Sequence, residues 1–327
     1  MTKNIEIKNN QEFLVSVVTP IYNAAAFVTR AVESALDQHE TCEVILVEDG
    51  SSDNSLEVCK ELTAKYDRVH LYRHANGENR GAGASRNLGM EKSSCDYIAF
   101  VDADNFYLPN RFFVAKKLFN SDPECEGVYE AIGNHVFDDV GLERWIKSKR
   151  PVDQLKTLSK PVEPSQLAEV LISGGFGSLT LDGLVLKRSV LEKSGFMSEK
   201  LRLHQDTDFI IRAAIVARLI PGRLDEPVAL RGIHDHNRIS AIRTQAKEYK
   251  NRMAFWTVLY RWSKENCKDD IQARILKSII HYTRSHKCFR NFPLKYFPTR
   301  LVWMIRLLRL SGYPELMFDL AKNKMNL

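Results

Sequence analysis

Short apolar runs alternate with segments of helical spacing over the first hundred residues. The runs occupy 13–20, 43–48, 69–73 and 97–102, and continuous β-branched runs predict strands that are buried on both faces. Between them, apolar residues recur three and four positions apart, which predicts helices within 23–38, over about 55–66 and up to about 92. This alternation predicts right-handed βαβ units, and therefore an α/β fold around a mainly parallel sheet.

Polar side chains stand at the carboxyl ends of three of these strands. Thr19 ends the first, Glu48 and Asp49 end the second, and Asp102 and Asp104 end the fourth. In such sheets, ligands bind in the crevice outside the carboxyl ends of the strands. We therefore expect these side chains to converge on one cleft.

Asp102 and Asp104 form a D-x-D motif. If the chain bends there, the two carboxylates offer hard oxygen ligands to Mg²⁺ or Mn²⁺, which would bridge to phosphates. Taken alone, the motif is more often a pair of loop acids, one of which caps the next helix. Its position beside other strand-end acids favours the metal site.

The glycine-rich loop NRGAGASRN covers 79–87. It is not a dinucleotide fingerprint, because Arg86 stands where the third glycine should be and the loop follows the third strand. Its glycine amides could still cradle phosphates ahead of a helix, and Arg86 could bind them bidentately. A salt bridge on the helix surface is an equally good account of Arg86.

Three residues of the second half are candidates whose spacing leaves two interpretations open. Asp206 begins a predicted helix, where an acid is also favoured by the helix dipole. Asp208, two residues on, faces elsewhere, so the two acids do not form a dyad. His234 and His236 form an H-x-H pair that suits a metal or a solvated loop equally well.

Charged residues are unevenly distributed along the chain. The net charge is +6, but residues 241–327 carry 18 Lys/Arg against 6 Asp/Glu, which leaves −6 for the first 240 residues. We expect a polar tail over 1–12, an α/β domain over 13–240 and a basic, mostly helical extension over 241–327.

The cysteines and the apolar content favour a cytoplasmic protein. The six cysteines include no C-x-x-C pair, and Cys42, Cys59 and Cys95 lie in or beside apolar elements, so we expect reduced thiols. The first dozen residues lack the apolar core of a secretory signal, and no apolar stretch has the length of a membrane span.

Five segments, in order, are similar to the motifs of the family 2 glycosyltransferases: VSVVTPIYNAAAFVTRAVESAL, VILVEDGSSDNSLEV, NRGAGASRNLGM, YIAFVDADNFYLPNR and GFMSEKLRLHQDTDFIIRA. The resemblance spans about 15–240. It implies a GT-A fold and an inverting transfer of a sugar from a nucleotide-diphosphate donor, UDP by family habit, to an acceptor hydroxyl.

The resemblance also implies roles for single residues. The metal, Mn²⁺ or Mg²⁺, would be held by Asp104, Asp102 and His234, and Asp206 would be the catalytic base. The implied donor-binding residues are Thr19, Pro20 and Tyr22 at the base and ribose, Asp49 at the base, Gly83 and Arg86 at the diphosphate, and Asp102 and Ala103 in the D-x-D turn.

Three positions depart from the family pattern. Glu48 replaces an aspartate, Asn105 replaces a frequent third acid after the D-x-D, and Gln205 replaces the glutamate before the catalytic aspartate. Asn105 and Gln205 support an alternative, a sugar-nucleotide-binding protein with weakened catalysis. A sugar-nucleotide nucleotidyltransferase is a second alternative, but the loop after the first strand lacks the glycines and lysines that it needs.

The stretch 271–314 carries nine Lys/Arg, seven aromatic residues and no acid. It suits an interfacial helix on an anionic membrane and equally a helix that docks on its own catalytic domain. The family implies a glycan or lipid-linked acceptor, as in cell-surface polysaccharide or lipopolysaccharide assembly, and a peripheral place on the inner membrane face. Nucleic acid is not an expected partner, because the main domain is acidic.

Overall fold

The computed structural model describes residues 12–148, 151–237 and 244–285. Ten strands occur within these ranges: β1 (Val15–Ile21), β2 (Thr41–Glu48), β3 (Val69–Arg73), β4 (Tyr97–Phe100), β5 (Asn105–Tyr107), β6 (Gly127–Tyr129), β7 (Ile132–Val136), β8 (Leu184–Lys187), β9 (Leu219–Pro221) and β10 (Ala229–Ile233). The four strands predicted from the apolar runs are β1 to β4.

The main sheet has the strand order β3-β2-β1-β4-β8-β6-β9. Its first four strands are parallel, and β8 runs antiparallel to both β4 and β6. The prediction of a mainly parallel α/β sheet is confirmed, and the carboxyl ends of β1, β2 and β4 lie at one edge.

A second, smaller sheet has the order β5-β10-β7. In it β10 pairs antiparallel with β5, with Arg231 opposite Asn105. This pairing brings the residues after the D-x-D beside the chain that leads to His234.

The helices cover both faces of the main sheet. Val17 of β1 belongs to the core on one face and Val18 to the core on the other, which explains the continuous apolar runs. The helices are α1 (Val28–Leu36), α2 (Ser55–Lys65), α3 (Ala82–Lys92), α4 (Phe113–Ser121), α5 (Asp139–Lys147), α6 (Pro164–Ser173), α7 (Val190–Ser194), α8 (Gln205–Val216), α9 (Gln245–Asn266) and α10 (Asp269–Ser285).

Helices α9 and α10 pack on the rest of the chain. Their buried residues, among them Leu259 and Ile275, share a core with Ile172 of α6 and Ile211 of α8. The apolar side of 271–285 is thus occupied by the protein's own α/β region, which supports the docking interpretation for this part of the basic stretch. Residues 286–327, and most of the predicted tail 1–12, lie outside the described residues.

Within the described ranges, every helix falls short of the length or hydropathy that crossing a bilayer requires.

The thiol prediction is wrong for one pair of cysteines. Cys42 and Cys95 form a disulfide across the amino-terminal end of β1, although they are 53 residues apart in sequence. The spacing of the cysteines could not reveal this contact, since it depends on the pairing of strands. Cys59, Cys125 and Cys267 are free, as expected for reduced thiols.

Candidate functional site

Asp49 anchors the glycine-rich loop to the carboxyl end of β2. Its carboxylate is buried and accepts hydrogen bonds from the backbone amides of Arg80, at 2.7 Å, and Gly81, at 2.9 Å. The side chain of Asn79 donates to the Asp49 carbonyl at 2.9 Å. Two features that were predicted from distant parts of the sequence, Asp49 and the loop, therefore meet.

Glu48 stabilises the turn behind this loop. It is fully buried, accepts from the Ser51 amide and pairs with Arg73 Nε at 2.6 Å. Burial disfavours its charged form, but the Ser51 amide and Arg73 hold the pKa of Glu48 below its usual value. The departure at position 48 thus keeps an ionised carboxylate.

A cavity of about 190 Å³ opens beside the loop. Tyr22 is 45% exposed and lines it, whereas Thr19 is fully buried and Pro20 half-buried. Arg80 pairs with Glu199 at 2.7 Å beside the cavity. The lining residues are Tyr22, Asp49, Asn79, Arg80, Gly81, Ala82, Gly83, Ala84, Glu199, Leu201, Arg202 and Gln205.

Gln205 closes the cavity against the loop. A Cβ at Gly83 would lie 3.1 Å from Gln205 Cγ, so the glycine permits a close approach. The buried Oε1 of Gln205 has no hydrogen-bond partner among the described residues. The departure at position 205 therefore lines the same cavity as Asp49 and Tyr22.

Arg86 is buried in α3 and donates a hydrogen bond to Asp102 Oδ1. The interpretation as a surface salt bridge is therefore wrong. Burial opposes the charged guanidinium, but the carboxylates of Asp102, Asp206 and Asp182 hold the pKa of Arg86 above its usual value. One guanidinium thus sits in the field of three acids that are distant in sequence.

Asp104 faces the residues that follow β10. Its Oδ2 lies 3.1 Å from His234 Nε2 and accepts from Asn237 Nδ2 at 3.2 Å, so Oδ1 remains for another partner. His234 is buried against the ring of Phe27, at 4.3 Å between centroids. The side chain of His236 is 80% exposed and pairs with Asp235. Of the two histidines, the structure thus places His234 at the D-x-D.

The D-x-D turn brings part of a donor set for a divalent ion together. The side chains of Asp102 and Asp104 are 37% and 32% exposed, and Asp104 lies beside the imidazole of His234. The ligand atoms of Asp102, Asp104 and His234 do not all lie within 4.8 Å of one another. Carboxylate with imidazole suits Mn²⁺, and the carboxylates alone suit Mg²⁺. Ala103 between them is buried in the core, so only its backbone can reach a ligand.

Asp206 lies in the first turn of α8. Its Oδ1 accepts from the Thr207 amide at 2.8 Å, and its charge acts on Arg86. Asp208 is buried and bonded to Arg212 at 2.7 Å, so it serves the packing of α8. The prediction that the two acids act separately agrees with this geometry.

Asp182, which no motif in the sequence marks, lies directly behind the D-x-D. Its Oδ1 accepts from the Asp102 amide and from Asn105 Nδ2, both at 2.9 Å, and the Oδ1 of Asn105 accepts from the Gly232 amide at 3.1 Å. Asn105 is therefore a buried link between the D-x-D and β10 and points away from the cleft. The only sequence feature that marks Asp182 is its position as one acid just before the short apolar run of β8.

Burial, together with the charge of Asp102, raises the pKa of Asp182 to about 6. An aspartate in the unfolded chain titrates near pH 3.9, so the folded protein binds more protons between about pH 4 and pH 6. Stability therefore falls as pH rises through this window. Asp182→Asn, whose Oδ1 can accept the same two hydrogen bonds, should remove this part of the dependence of stability on pH.

Urea unfolding at several pH values between 4 and 7 measures the slope, and the exposed Asp67→Asn is the control. Equal slopes in the wild type and Asp182→Asn would show that the carboxyl group of Asp182 titrates normally.

Comparisons with known sequences find similarity to glycosyltransferases. Residues 16–163 match the family model described as Glycosyl transferase family 2. The uncharacterized glycosyltransferase YibD of Escherichia coli is 31% identical over 204 residues, which are 61% of this chain and 57% of that protein. An uncharacterized glycosyltransferase of Rickettsia felis is 29% identical over 67% of this chain and 34% of its own length. The chain therefore spans between about a third and just over half of these relatives.

Solved structures agree on the fold. TarS 1–349 of S. aureus, in complex with UDP-GlcNAc, superposes with a TM-score of 0.63 at 17% identity, over 91% of this chain and 80% of that one. The mannosyltransferase PcManGT of Pyrobaculum calidifontis, in complex with GDP-Man and Mn²⁺, gives 0.52 at 14% identity, over 94% and 79%. At these identities the likeness shows the fold, which is GT-A.

Proposed function

We propose that this chain, whose residues 16–163 match the model of the family 2 glycosyltransferases, transfers a sugar from a nucleotide-diphosphate donor to an acceptor hydroxyl with inversion. One observation carries the proposal. The buried Arg86 lies in the field of both Asp102 of the D-x-D and Asp206, close to the loop that Asp49 anchors. Arg86 thus lies near both the proposed donor-binding loop and the proposed base.

The donor is proposed to be a UDP-sugar. The cavity beside Asp49 and Tyr22 would take the nucleoside, and the amides from Gly81 to Gly83 with Arg86 would take the diphosphate. The complex of TarS with UDP-GlcNAc supports this donor class. Thr19 and Pro20 are proposed to shape the wall behind the base rather than to contact it with polar atoms, because Thr19 is buried.

Asp102, Asp104 and His234 would hold Mn²⁺ or Mg²⁺, and this ion would neutralise charge on the departing diphosphate. Arg86 adds a fixed positive charge whose protonation the surrounding acids secure. Behind them, Asp182 and Asn105 hold the turn in place through the Asp102 amide and β10. The chain itself thus contributes charged side chains beside the diphosphate that hydrogen bonds hold in place.

Asp206 is proposed as the general base. As the acceptor oxygen attacks the anomeric carbon from the face opposite the diphosphate, its proton passes to the Asp206 carboxylate. Asp206 lies in the first turn of α8, where the helix dipole favours a negative charge. Gln205 beside it is neutral, so the base works without a second carboxylate next to it in sequence.

The acceptor is proposed to be a glycan or a lipid-linked sugar of cell-surface polysaccharide assembly, met at the inner face of the membrane. The basic composition of 271–314 supports this location. α10 buries its apolar side on the protein, so membrane contact by this helix would rest on its basic side chains.

A thermal-shift panel of nucleotide sugars with and without Mn²⁺ tests the proposal. A UDP-sugar at about tenfold its Kd should raise Tm by about 3 °C, and by less without the metal. Donor hydrolysis in the presence of Mn²⁺ should then exclude a protein that only binds. If no nucleotide sugar raises Tm in the presence of Mn²⁺, the proposed function is wrong.

A further inference from the structure

A second group of metal-ligand side chains lies at the amino-terminal edge of the main sheet, opposite the candidate active site. The ligand atoms of Cys42, Glu43 and Cys95 all lie within 4.8 Å of one another. The two cysteines are half-buried and Glu43 is buried. The group comes from β2 and from the turn before β4, across the start of β1.

A β-bulge brings two successive residues of β2 to this place. In the pairing of β1 with β2, Val15 lies opposite Thr41 and Ser16 opposite Glu43, so Cys42 is the extra residue. Successive side chains of a regular strand point to opposite faces, and a bulge re-aims them. The irregularity is what lets Cys42 and Glu43 approach the same point.

Serine side chains orient this group. Glu43 Oε1 accepts from Ser16 Oγ at 2.6 Å, from the Ser94 amide at 2.7 Å and from Ser94 Oγ at 2.8 Å. Ser16 Oγ also accepts from the Cys95 amide at 3.1 Å. Such outer hydrogen bonds are how proteins fix metal ligands. The other oxygen, Oε2, lies 3.8 Å from Nε2 of His70 on β3.

The separation of the two cysteines is long for a direct bond. Their Cα atoms are 7.1 Å apart, whereas disulfides usually join Cα atoms about 4.4–6.8 Å apart. A zinc ion between the sulfurs permits a longer Cα–Cα distance. Two thiolate sulfurs bound to one tetrahedral zinc, with bonds of about 2.3 Å, lie further apart than the two sulfurs of a disulfide.

We propose that Cys42, Cys95 and Glu43 form a zinc site that is available when the cysteine pair is reduced, and that His70, which lies beside Glu43 but outside the 4.8 Å group, turns in as the fourth ligand. Two thiolates with one carboxylate and one imidazole make a tetrahedral set that suits Zn²⁺. Two molecules of a thiol reductant convert the disulfide into two protein thiols and leave as their own disulfide. Zn²⁺ then displaces the two thiol protons, which pass to solvent.

Zinc titration of the full chain tests the site. The protein carries Asp104→Asn to weaken the other candidate metal site, is reduced with a phosphine, freed of metal with a chelator and titrated against a chromophoric zinc indicator. We expect one zinc per chain. Cys42→Ser or Cys95→Ser should weaken binding by more than about 100-fold, and Ser16→Ala, which removes an orienting bond, by about 10-fold.

Cys267→Ser is the matched control, since Cys267 is a free, half-buried cysteine outside the group, and it should bind zinc like the parent. Co²⁺ in place of zinc should give a sulfur-to-metal charge-transfer band that Cys42→Ser removes. Circular dichroism of each variant separates loss of the site from loss of the fold. The proposal is overturned if folded Cys42→Ser/Cys95→Ser binds zinc as tightly as the reduced parent, or if the oxidised parent binds it equally well.

Discussion

Replacing Asp206 with asparagine is expected to lower sugar transfer about 1,000-fold, within the usual range for the loss of a general base, while donor binding stays unchanged. Asparagine keeps the size of the side chain and can still accept from the Thr207 amide, as Asp206 Oδ1 does. It cannot take the acceptor's proton. The change therefore removes one chemical function at the start of α8 and little else.

Two measurements separate this role from a structural one. Isothermal titration of the UDP-sugar in the presence of Mn²⁺ should give the same Kd for Asp206→Asn and the wild type, and turnover should show the fall in kcat. The exposed Asp67→Asn is the control for loss of one carboxylate. Turnover within about threefold of the wild type would remove Asp206 from the mechanism.

Strand positions were predictable because the main sheet is covered on both faces. Val17 and Val18 both enter apolar cores, on opposite sides of β1, and a mainly apolar run is the direct result. The placement of Asp49 and Asp102 at the same edge of the sheet followed from the same topology, since parallel strands end at one edge. These inferences needed only local patterns and the connection rule.

The inner support of the site was not predictable, because it depends on contacts between distant segments. Asp182 follows Asp102 by 80 residues and reaches its amide through the pairing of β8 with β4. Asn105 departs from the family pattern directly after the D-x-D, but the pairing of β5 with β10 turns it inward. Register between strands fixes both side chains, and residue spacing carries no information about register.

The disulfide and the choice between the two histidines have the same explanation. His234 and His236 are equivalent in sequence, yet the end of β10 directs His234 to Asp104 and leaves His236 in solvent. Cys42 meets Cys95 only because β1 lies between their elements. In each case the tertiary fold places the residues differently, although their sequence patterns are the same.

Replacing Asp104 with asparagine should alter the metal dependence of donor binding, which Asp206→Asn should leave unchanged. Transfer should fall about 100-fold, since a metal that stabilises a leaving group contributes several kcal/mol, and the donor's Kd should lose its dependence on Mn²⁺. Asparagine can still accept from Asn237, so the turn should keep its shape. The loss then falls on metal binding rather than on folding.

The adjacent histidines provide the matched pair for this test. His234→Ala removes the imidazole beside Asp104 and should raise the Mn²⁺ concentration needed for half-maximal activity by about 10- to 100-fold. His236→Ala, two positions away and exposed, should leave it unchanged. Both variants are measured by titrating Mn²⁺ at saturating donor. If they respond alike, or if Asp104→Asn keeps the Mn²⁺ dependence of donor binding, the metal does not lie between Asp104 and His234.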